Sequence, residues 1–324
     1  MESFNRRSNK KKRTGWKIFW GILILFIAGA GVFAYSTYGN IEKATAEIYE
    51  PVDTDSLRTL PANLNNKESI SILFLGVDTG ELGRTEQGRS DSMIVATINP
   101  NTQKTTLLSI PRDTYSLMVG YDEENGYYDK INHAYAYGGT EMAINSVQEL
   151  LEIPIDYYVT VNMAGLEQIV EAIGGIEVDS PFAFSFYEDE TGITYSFKEG
   201  ANQLDGPSAL AFARMRYDDP EGDAGRQTRQ RLVIEAMLKK FASLDNILNY
   251  ENVLRSMASN IETNFQMEDY VVLLRNGYLS ATGNIQQEKL SGMDDMMDGI
   301  YYHFVEETEF DRIEMLLQNE LELN

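Results

Sequence analysis

The chain of 324 residues contains no cysteine and only two histidines. The absence of cysteine excludes disulfide scaffolds, thiol nucleophiles, cysteine-ligated zinc and iron–sulfur clusters. Basic residues are also scarce, because 27 Lys and Arg are set against 50 Asp and Glu and leave a formal net charge of −23. This charge excludes broad, non-specific binding to nucleic acid, which requires a basic surface. With 43% hydrophobic residues, the chain can bury a large core.

The few basic residues are distributed unevenly. Residues 1–17 carry a net charge of +6, whereas residues 18–324 carry −29. No residue between Ile18 and Ile41 is charged, and about 20 apolar residues in a helix span a bilayer. Because basic residues stay on the cytoplasmic side, we predict a cytoplasmic tail at 1–17, a single transmembrane helix at 18–38 and an extracellular remainder. A cleaved signal peptide is the alternative, although the run is longer than usual and no clear cleavage site follows it.

The extracellular part begins with a polar segment at 39–67 that is typical of a linker. Short apolar runs then alternate with segments of helical periodicity, which predicts one α/β domain at 68–310 followed by an acidic tail at 311–324. The predicted strands are 69–77, 92–99, 104–110 and 155–161, the predicted helices are 140–151, 164–173, 207–215, 226–244, 246–260 and 266–280, and 180–198 is predicted to form a β-rich hairpin or loop.

Arginine is concentrated in one short segment of this domain. The exterior part holds only 20 basic residues in 307, yet five arginines fall within 18 residues. Several cations near a helix N-terminus oppose the helix dipole, which favours a bound anion such as phosphate between them. A solvated helix face paired with neighbouring carboxylates is the alternative. The five are Arg214, Arg216, Arg226, Arg229 and Arg231.

A second candidate group combines carboxylates and arginines near the ends of the first three strands. Asp78 follows a buried strand, at the position where open α/β sheets bind ligands. The hairpin turn near 100–101 places residue 91 opposite 110–111, so Asp91 and Arg112 are predicted to share one end of the sheet. Carboxylates beside a bound phosphate suit Mg²⁺, whereas salt bridges at a sheet edge are the alternative. The group is Asp78, Arg89, Asp91, Arg112 and Asp113.

Other catalytic signals are absent from the sequence. The phosphate-binding motif Gly-x4-Gly-Lys-Ser/Thr, the nucleophile motif Gly-x-Ser-x-Gly and the zinc motif His-Glu-x-x-His do not occur. His133 and His303 are isolated in the sequence, which favours packing or surface roles over catalysis. With these classes of catalytic site excluded, the sequence favours phosphate chemistry, in which arginines and a metal neutralise charge.

Seven short motifs occur in an order that resembles the LytR-CpsA-Psr (LCP) family of membrane-anchored cell-wall proteins. The resemblance covers about 68–235, and one departure is Ala224, where the family usually has a bulkier apolar residue. The motifs are Leu75-Gly-Val-Asp78, Arg89-Ser-Asp-Ser-Met93, Ser109-Ile-Pro-Arg-Asp113, Lys130-Ile-Asn132 with Ala134-Tyr-Ala-Tyr-Gly-Gly139, Gly174-Gly-Ile-Glu-Val178, Leu204-Asp-Gly206, and Arg214-Met-Arg216 through Gly222-Asp-Ala-Gly-Arg226 to Arg229-Gln230.

The resemblance implies a three-layer α/β/α domain with a central mixed sheet and an apolar tunnel for a polyprenyl chain. It also implies an enzyme of the Gram-positive cell wall, a membrane-anchored phosphotransferase. Such an enzyme moves an anionic glycopolymer, such as wall teichoic acid, from undecaprenyl pyrophosphate to a peptidoglycan sugar hydroxyl. Helices 140–151 and 164–173 are the candidate tunnel walls, although their apolar faces equally suit an ordinary core.

The resemblance further assigns site residues by motif. Mg²⁺, with Mn²⁺ as an alternative, would be held by Asp78 and Asp91. The base that accepts the proton of the attacking hydroxyl would be Asp91 or Asp223, and Lys130 and Asn132 would support the site. The pyrophosphate would be bound by Arg89, Arg112, Arg214 and Arg216, with Arg226, Arg229 and Gln230 bordering it, and the catalytic set would be Asp91, Arg112, Arg214, Arg216 and Asp223.

Three other functions are compatible with parts of this pattern. A pyrophosphatase would release the lipid phosphate to water, and a wall adhesin would need no magnesium-dependent lipid binding. A membrane-bound transcriptional attenuator is the third, although a cytoplasmic segment of 17 residues contains no DNA-binding fold.

Overall fold

The computed structural model describes residues 45–79, 87–122, 124–189, 191–243 and 260–323. The predicted cytoplasmic tail, the predicted transmembrane helix and nearly all of the predicted helix 246–260 lie outside these residues. No helix in the described ranges is long and apolar enough to cross a bilayer.

Strands and helices alternate along most of the chain. A short 3-10 turn at Leu64–Asn66 precedes the first strand. The strands are β1 (Ile70–Val77), β2 (Ser90–Asn99), β3 (Lys104–Ser109), β4 (Tyr115–Leu117), β5 (Tyr128–Lys130), β6 (Tyr157–Asn162), β7 (Ile176–Ser180), β8 (Phe184–Glu188), β9 (Ile193–Phe197), β10 (Gly200–Leu204), β11 (Ile261–Thr263), β12 (Ile285–Lys289), β13 (Met293–Met297) and β14 (Ile300–Phe304). The helices are α1 (His133–Leu151), α2 (Met163–Ala172), α3 (Gly206–Arg214), α4 (Asp223–Ala242), α5 (Met267–Arg275), α6 (Tyr278–Ala281) and α7 (Glu307–Glu320).

The central sheet has six strands in the order β11-β6-β1-β2-β3-β12. It is mixed, because β1 pairs in parallel with β6 and β3 with β12, whereas the other neighbours are antiparallel. The predicted hairpin of β2 and β3 is confirmed. Its register pairs Ile94 with Ser109, which places residue 91 opposite 112, within two residues of the predicted position.

Helices cover both faces of this sheet. On one face, Leu73, Val95 and Leu108 are buried together with side chains of α1 and α7. On the other face, Ile72 and Ile94 lie in a cluster with side chains of α4, α5 and α6. The prediction of a mixed α/β fold around a central mixed sheet is therefore confirmed. The side chains of successive residues in a strand point to opposite faces of the sheet, so one apolar strand contributes side chains to both clusters.

Helix α1 is interrupted near its start by Gly138 and Gly139. Gly139 has a φ of +66° and a ψ of −155°, a backbone conformation that essentially only glycine adopts. The interruption separates a first turn, which begins at His133, from the remainder of the helix. The predicted helix 140–151 corresponds to the part that follows the interruption.

Two predicted boundaries need correction. Arg58 forms an ion pair with Asp156 at 2.6 Å, and Leu64 is buried, so the part of the predicted linker that the structure describes packs on the domain. The predicted boundary at 310 falls within α7. Because Ile313 and Leu317 of this helix are buried in the core, the predicted acidic tail belongs to the domain as far as residue 323.

Candidate active site

An apolar cavity of about 370 Å³ lies between the sheet and the helices on one of its faces. Phe74 and Ile98 line it from the sheet, and α2, α4, α5 and α6 supply much of the opposite wall. Several polar side chains line the cavity at the carboxyl end of β1, namely Asp78, Asp91, Ser92 and Asn162. Arg214 of α3 and Gln230 of α4 also line it.

Of the two helices predicted as tunnel walls, 164–173 lines this cavity, and the prediction for 140–151 is wrong. Met163, Leu166 and Ile169 of α2 line the cavity. No residue of α1 does so within the described part of the chain, because the apolar face of α1 packs on the other side of the sheet, where Val147 and Leu151 are buried. Helix α4 forms much of the wall instead.

The carboxylate of Asp78 is held at the mouth of this cavity by the start of β2. The backbone N–H of Arg89 donates to Oδ1 of Asp78 at 2.6 Å, and the N–H of Asp78 donates to the carbonyl of Arg89 at 3.2 Å. A Cβ at Gly88 would lie 1.9 Å from Oδ1 of Asp78, so only glycine permits this approach. The side chain of Arg89 is exposed.

Asp91 and Arg112 meet across the hairpin as predicted. Nη1 of Arg112 donates to Oδ1 of Asp91 at 2.7 Å, and Nε of Arg112 lies 3.5 Å from Asp113. Burial lowers the pKa of Arg112, but the carboxylates of Asp91, Asp223 and Asp113 outweigh burial and raise it above its ordinary value. The guanidinium is therefore firmly cationic.

The arginine-rich segment joins the same network through α4. Asp223 is the first residue of this helix and lies 2.9 Å from Nη2 of Arg226 and 3.6 Å from Nε of Arg216. Nη2 of Arg226 also donates to the carbonyl of Asp91 at 3.4 Å. Burial lowers the pKa of Arg226, which Asp223 partly offsets and the neighbouring Arg112 reinforces. Arg216 and Arg226 of the arginine-rich segment therefore share one site with Asp91 and Arg112.

Arg214 and Gln230 line the same cavity as Asp78 and Asp91. Nη1 of Arg214 forms an ion pair with Glu188 of β8 at 3.2 Å. No sequence pattern indicated Glu188, because its strand belongs to a separate hairpin whose position relative to the site depends on tertiary packing.

Arg229 is placed differently from the prediction, which had assigned it to the pyrophosphate. Its side chain is fully buried. It donates to the carboxylate of Asp219 and to the carbonyls of Met215 and Phe212, the last at 3.0 Å. A guanidinium whose nitrogens are all engaged below the surface cannot bind a ligand, so Arg229 is structural. Arg231 is likewise buried, and it donates to Ser109 at 2.7 Å.

One arginine of the network keeps a buried donor without a partner. Nε of Arg226 forms no hydrogen bond with the described residues, whereas Nε of Arg112 faces Asp113 at 3.5 Å. Buried donors are nearly always satisfied in folded proteins, so the donor set of Arg226 suits one further acceptor.

Lys130 and Asn132 support this site from β5 and the start of α1. Nζ of Lys130 is 2.7 Å from Asp113, and the backbone N–H of Asn132 donates to the carbonyl of Arg112 at 3.1 Å. These contacts fix the loop that carries Arg112. His133 is paired with Asp129 at 2.7 Å, so it is not isolated in the fold.

The carboxylates at the mouth suit a magnesium ion that is shared with a ligand. In the described ranges, no three His, Asp or Glu side chains form a group that could surround a metal. Asp78 and Asp91, however, line the same mouth. Mg²⁺ commonly uses one or two protein carboxylates and completes its octahedron with water and phosphate oxygens, which is compatible with this sparse pair.

Known proteins share this architecture. The chain is 44% identical to the polyisoprenyl-teichoic acid–peptidoglycan teichoic acid transferase TagU of Enterococcus faecalis over 313 residues, which cover 97% of this chain and 99% of that protein. The crystal structure of a transcriptional regulator from Enterococcus faecalis is similar with a TM-score of 0.70 and 39% identity, covering 81% of this chain and 90% of that chain. TagT bound to LIIa-WTA is similar with a TM-score of 0.68 and 28% identity, covering 84% and 100%. The LytR_cpsA_psr family profile matches residues 35–319, and the chain therefore belongs to the LytR_cpsA_psr family.

Proposed function

We propose that this protein transfers a polyisoprenyl-linked anionic glycopolymer, of the teichoic acid type, to peptidoglycan. The observation that carries the proposal is the junction of an apolar cavity with a cluster of arginines at its mouth. A polyprenyl chain requires an apolar enclosure, and a pyrophosphate requires cationic donors. The transferase activity and the LIIa-WTA ligand of two relatives support the same assignment.

The donor lipid lies in this proposal with its chain between the sheet and α4. Its pyrophosphate then meets Arg112, Arg214 and Arg226, whose positions are fixed by their own carboxylate partners. Arg216 and the exposed Arg89 extend the cationic surface outward. Asp78 and Asp91 would hold Mg²⁺, which neutralises charge on the pyrophosphate when it is bound.

Transfer requires a hydroxyl of the acceptor sugar to attack the phosphorus on the sugar side of the pyrophosphate. A new oxygen–phosphorus bond forms, the bond from that phosphorus to the bridging oxygen breaks, and polyprenyl phosphate leaves. The hydroxyl proton passes to a carboxylate, for which Asp91 and Asp223 are the candidates. The arginines stabilise the charge that develops on the phosphoryl oxygens and on the leaving phosphate.

The predicted placement of the domain outside the cell is part of the proposal. The uncharged run from Ile18 to Ile41 would anchor the chain, and the basic tail at 1–17 would remain in the cytoplasm. Anchoring keeps the cavity close to the membrane in which its lipid substrate resides.

The proposal is tested with labelled donor lipid, purified peptidoglycan and magnesium. We expect Arg112→Ala and Arg214→Ala to reduce transfer by about 10²–10³-fold while the thermal unfolding temperature changes little. Label that appears as free polymer phosphate would identify a pyrophosphatase instead. If the wild-type protein produces neither product, the enzyme proposal is wrong and a regulatory or structural role takes its place.

A further inference from the structure

A cluster of exposed tyrosines lies beside the site without a role in the chemistry described above. Tyr121, Tyr127 and Tyr137 are 51%, 36% and 41% exposed. Their ring centroids are 4.7 Å apart for Tyr121 and Tyr127, 4.9 Å for Tyr121 and Tyr137, and 6.2 Å for Tyr127 and Tyr137. Adjacent exposed rings on a protein surface commonly mark a binding site. We call these three residues the tyrosine platform.

The tyrosine platform is held rigid from below by one carboxylate. Asp129 accepts hydrogen bonds from the hydroxyls of Tyr137 at 2.8 Å and Tyr127 at 3.4 Å, and it is paired with His133 at 2.7 Å. Tyr302 donates to the same carboxylate at 3.3 Å. Because these bonds fix the rings of Tyr127 and Tyr137 in advance, a ligand that stacks on them loses little affinity to their ordering.

The tyrosine platform is connected to the mouth of the cavity by two short chains of contacts. The backbone N–H of Lys130 donates to Asp129 at 2.8 Å, and the side chain of Lys130 is paired with Asp113 beside Arg112. On the other side, a Cβ at Gly139 would lie 2.9 Å from Nε2 of Gln87, one residue before the glycine that contacts Asp78. Through these contacts the platform is connected, within a few residues, to both Arg112 and Asp78.

The charge around the tyrosine platform selects against an anionic occupant. Asp122 and Glu124 follow Tyr121 closely, and the segment from Thr114 to Asp129 contains no Lys or Arg. An anionic glycopolymer would be repelled there, whereas the uncharged sugar rings of a glycan strand present C–H groups to the ring faces and hydroxyls to the tyrosine oxygens. The arginine cluster and the platform thus suit the two different substrates of a transferase.

We propose that the tyrosine platform is the subsite for the acceptor, where the glycan strand of peptidoglycan stacks so that one sugar hydroxyl reaches the pyrophosphate. The identity of the acceptor rests on the proposed function. The rings would position the acceptor, and they take no part in bond making.

The test measures binding of fluorescently labelled, uncross-linked peptidoglycan glycan strands to the full chain in detergent, without donor lipid. We expect Tyr121→Ala and Tyr137→Ala each to weaken binding by about tenfold. Tyr137→Phe keeps the ring and should bind within about threefold of wild type. Tyr128→Ala is the matched control, because it removes an exposed ring from the same β4–β5 ribbon on the opposite face, and it should bind as wild type.

Kinetics separate this inference from the proposed function. In the transfer assay, Tyr121→Ala and Tyr137→Ala should raise KM for the acceptor about tenfold, with kcat and donor affinity unchanged. Equal glycan affinity in all variants would overturn the inference. The inference would also fail if the tyrosine variants kept their affinity for glycan and lost affinity for a glycan-free stem peptide or for lipid vesicles. Failure of transfer by the wild-type protein would count against the proposed function alone, since strand binding is measured without donor.

Discussion

The buried pair of Arg229 and Asp219 provides a direct test of which arginines are structural. Both side chains are buried, at 0% and 2% exposure, and Arg229 also donates to two backbone carbonyls. We consider Arg229→Met, which keeps a long apolar stem of similar length and removes the charge. The substitution leaves the carboxylate of Asp219 below the surface without its cation.

The expected loss of stability follows from that uncompensated carboxylate. Removing one partner of a buried ion pair costs about 3–5 kcal/mol of the free energy of unfolding. With a urea dependence of about 3 kcal/mol per M, the unfolding midpoint should fall by roughly 1–1.7 M. The double variant Asp219→Asn with Arg229→Met removes the buried charge, so it should recover part of this loss.

Urea unfolding of the purified chain, followed by circular dichroism at 222 nm, measures these midpoints. The donor affinity of the folded Arg229→Met protein is measured separately at low temperature. We expect a large drop in the midpoint and a donor affinity close to wild type. An unchanged midpoint together with a loss of donor binding would refute the reasoning and return Arg229 to the pyrophosphate site.

Four further perturbations address the cavity, the mouth, the metal and the platform. Ile234→Trp fills the cavity that Ile234 lines; it should abolish binding of a long polyprenyl pyrophosphate while inorganic pyrophosphate still binds, as measured by calorimetry. Glu188→Gln removes the carboxylate paired with Arg214; because Glu188 holds Arg214 in position, pyrophosphate binding should weaken a few-fold, and stronger binding would show that Glu188 only competes with the ligand. Chelation with EDTA should reduce transfer to background, and added Mg²⁺ should restore it, whereas unaltered transfer would exclude a metal. Burial raises the pKa of Asp129, but hydrogen bonds from His133 and Tyr137 outweigh burial and lower this pKa below its ordinary value. The ionised Asp129 therefore stabilises the fold above the ordinary aspartate pKa, and this stabilisation is lost as the pH falls through the lowered pKa. Between pH 5 and pH 2, the unfolding free energy of Asp129→Asn should change less than that of wild type.

Much of the central sheet was predictable because its strands carry a local signal. The run Ile70–Val77 is apolar apart from Ser71, and the turn after Asn99 fixes the neighbouring hairpin well enough to bring Asp91 to Arg112. The hairpin of β13 and β14 carries no such signal. All five residues of Met293–Met297 are exposed, so neither burial nor periodicity marks the strand in the sequence.

The site was predictable only where its contacts follow from neighbouring strands. Arg226 reaches the carbonyl of Asp91 across 135 positions of sequence, and no local pattern indicates that contact. Arg229 was assigned incorrectly because a guanidinium has the same chemistry at a mouth and in a core. The residue that distinguishes the buried arginine from those at the mouth is Gly225. A Cβ at Gly225 would lie 2.0 Å from Asp219, so this glycine allows the partner of Arg229 to lie against the helix.

The exposure of each ion pair explains how an acidic domain keeps its few arginines available for an anion. At the mouth, the pair of Arg214 and Glu188 is 32% and 14% exposed, and that of Arg216 and Asp223 is 46% and 27% exposed. Ion pairs in contact with water contribute only about 0–1 kcal/mol, so a pyrophosphate can replace the carboxylate at little cost. The buried pair of Arg229 cannot exchange in this way. Carboxylates at the mouth therefore hold the arginines in position until the ligand arrives, and a cation shared by Asp78 and Asp91 would offset the repulsion between those carboxylates and the incoming phosphates.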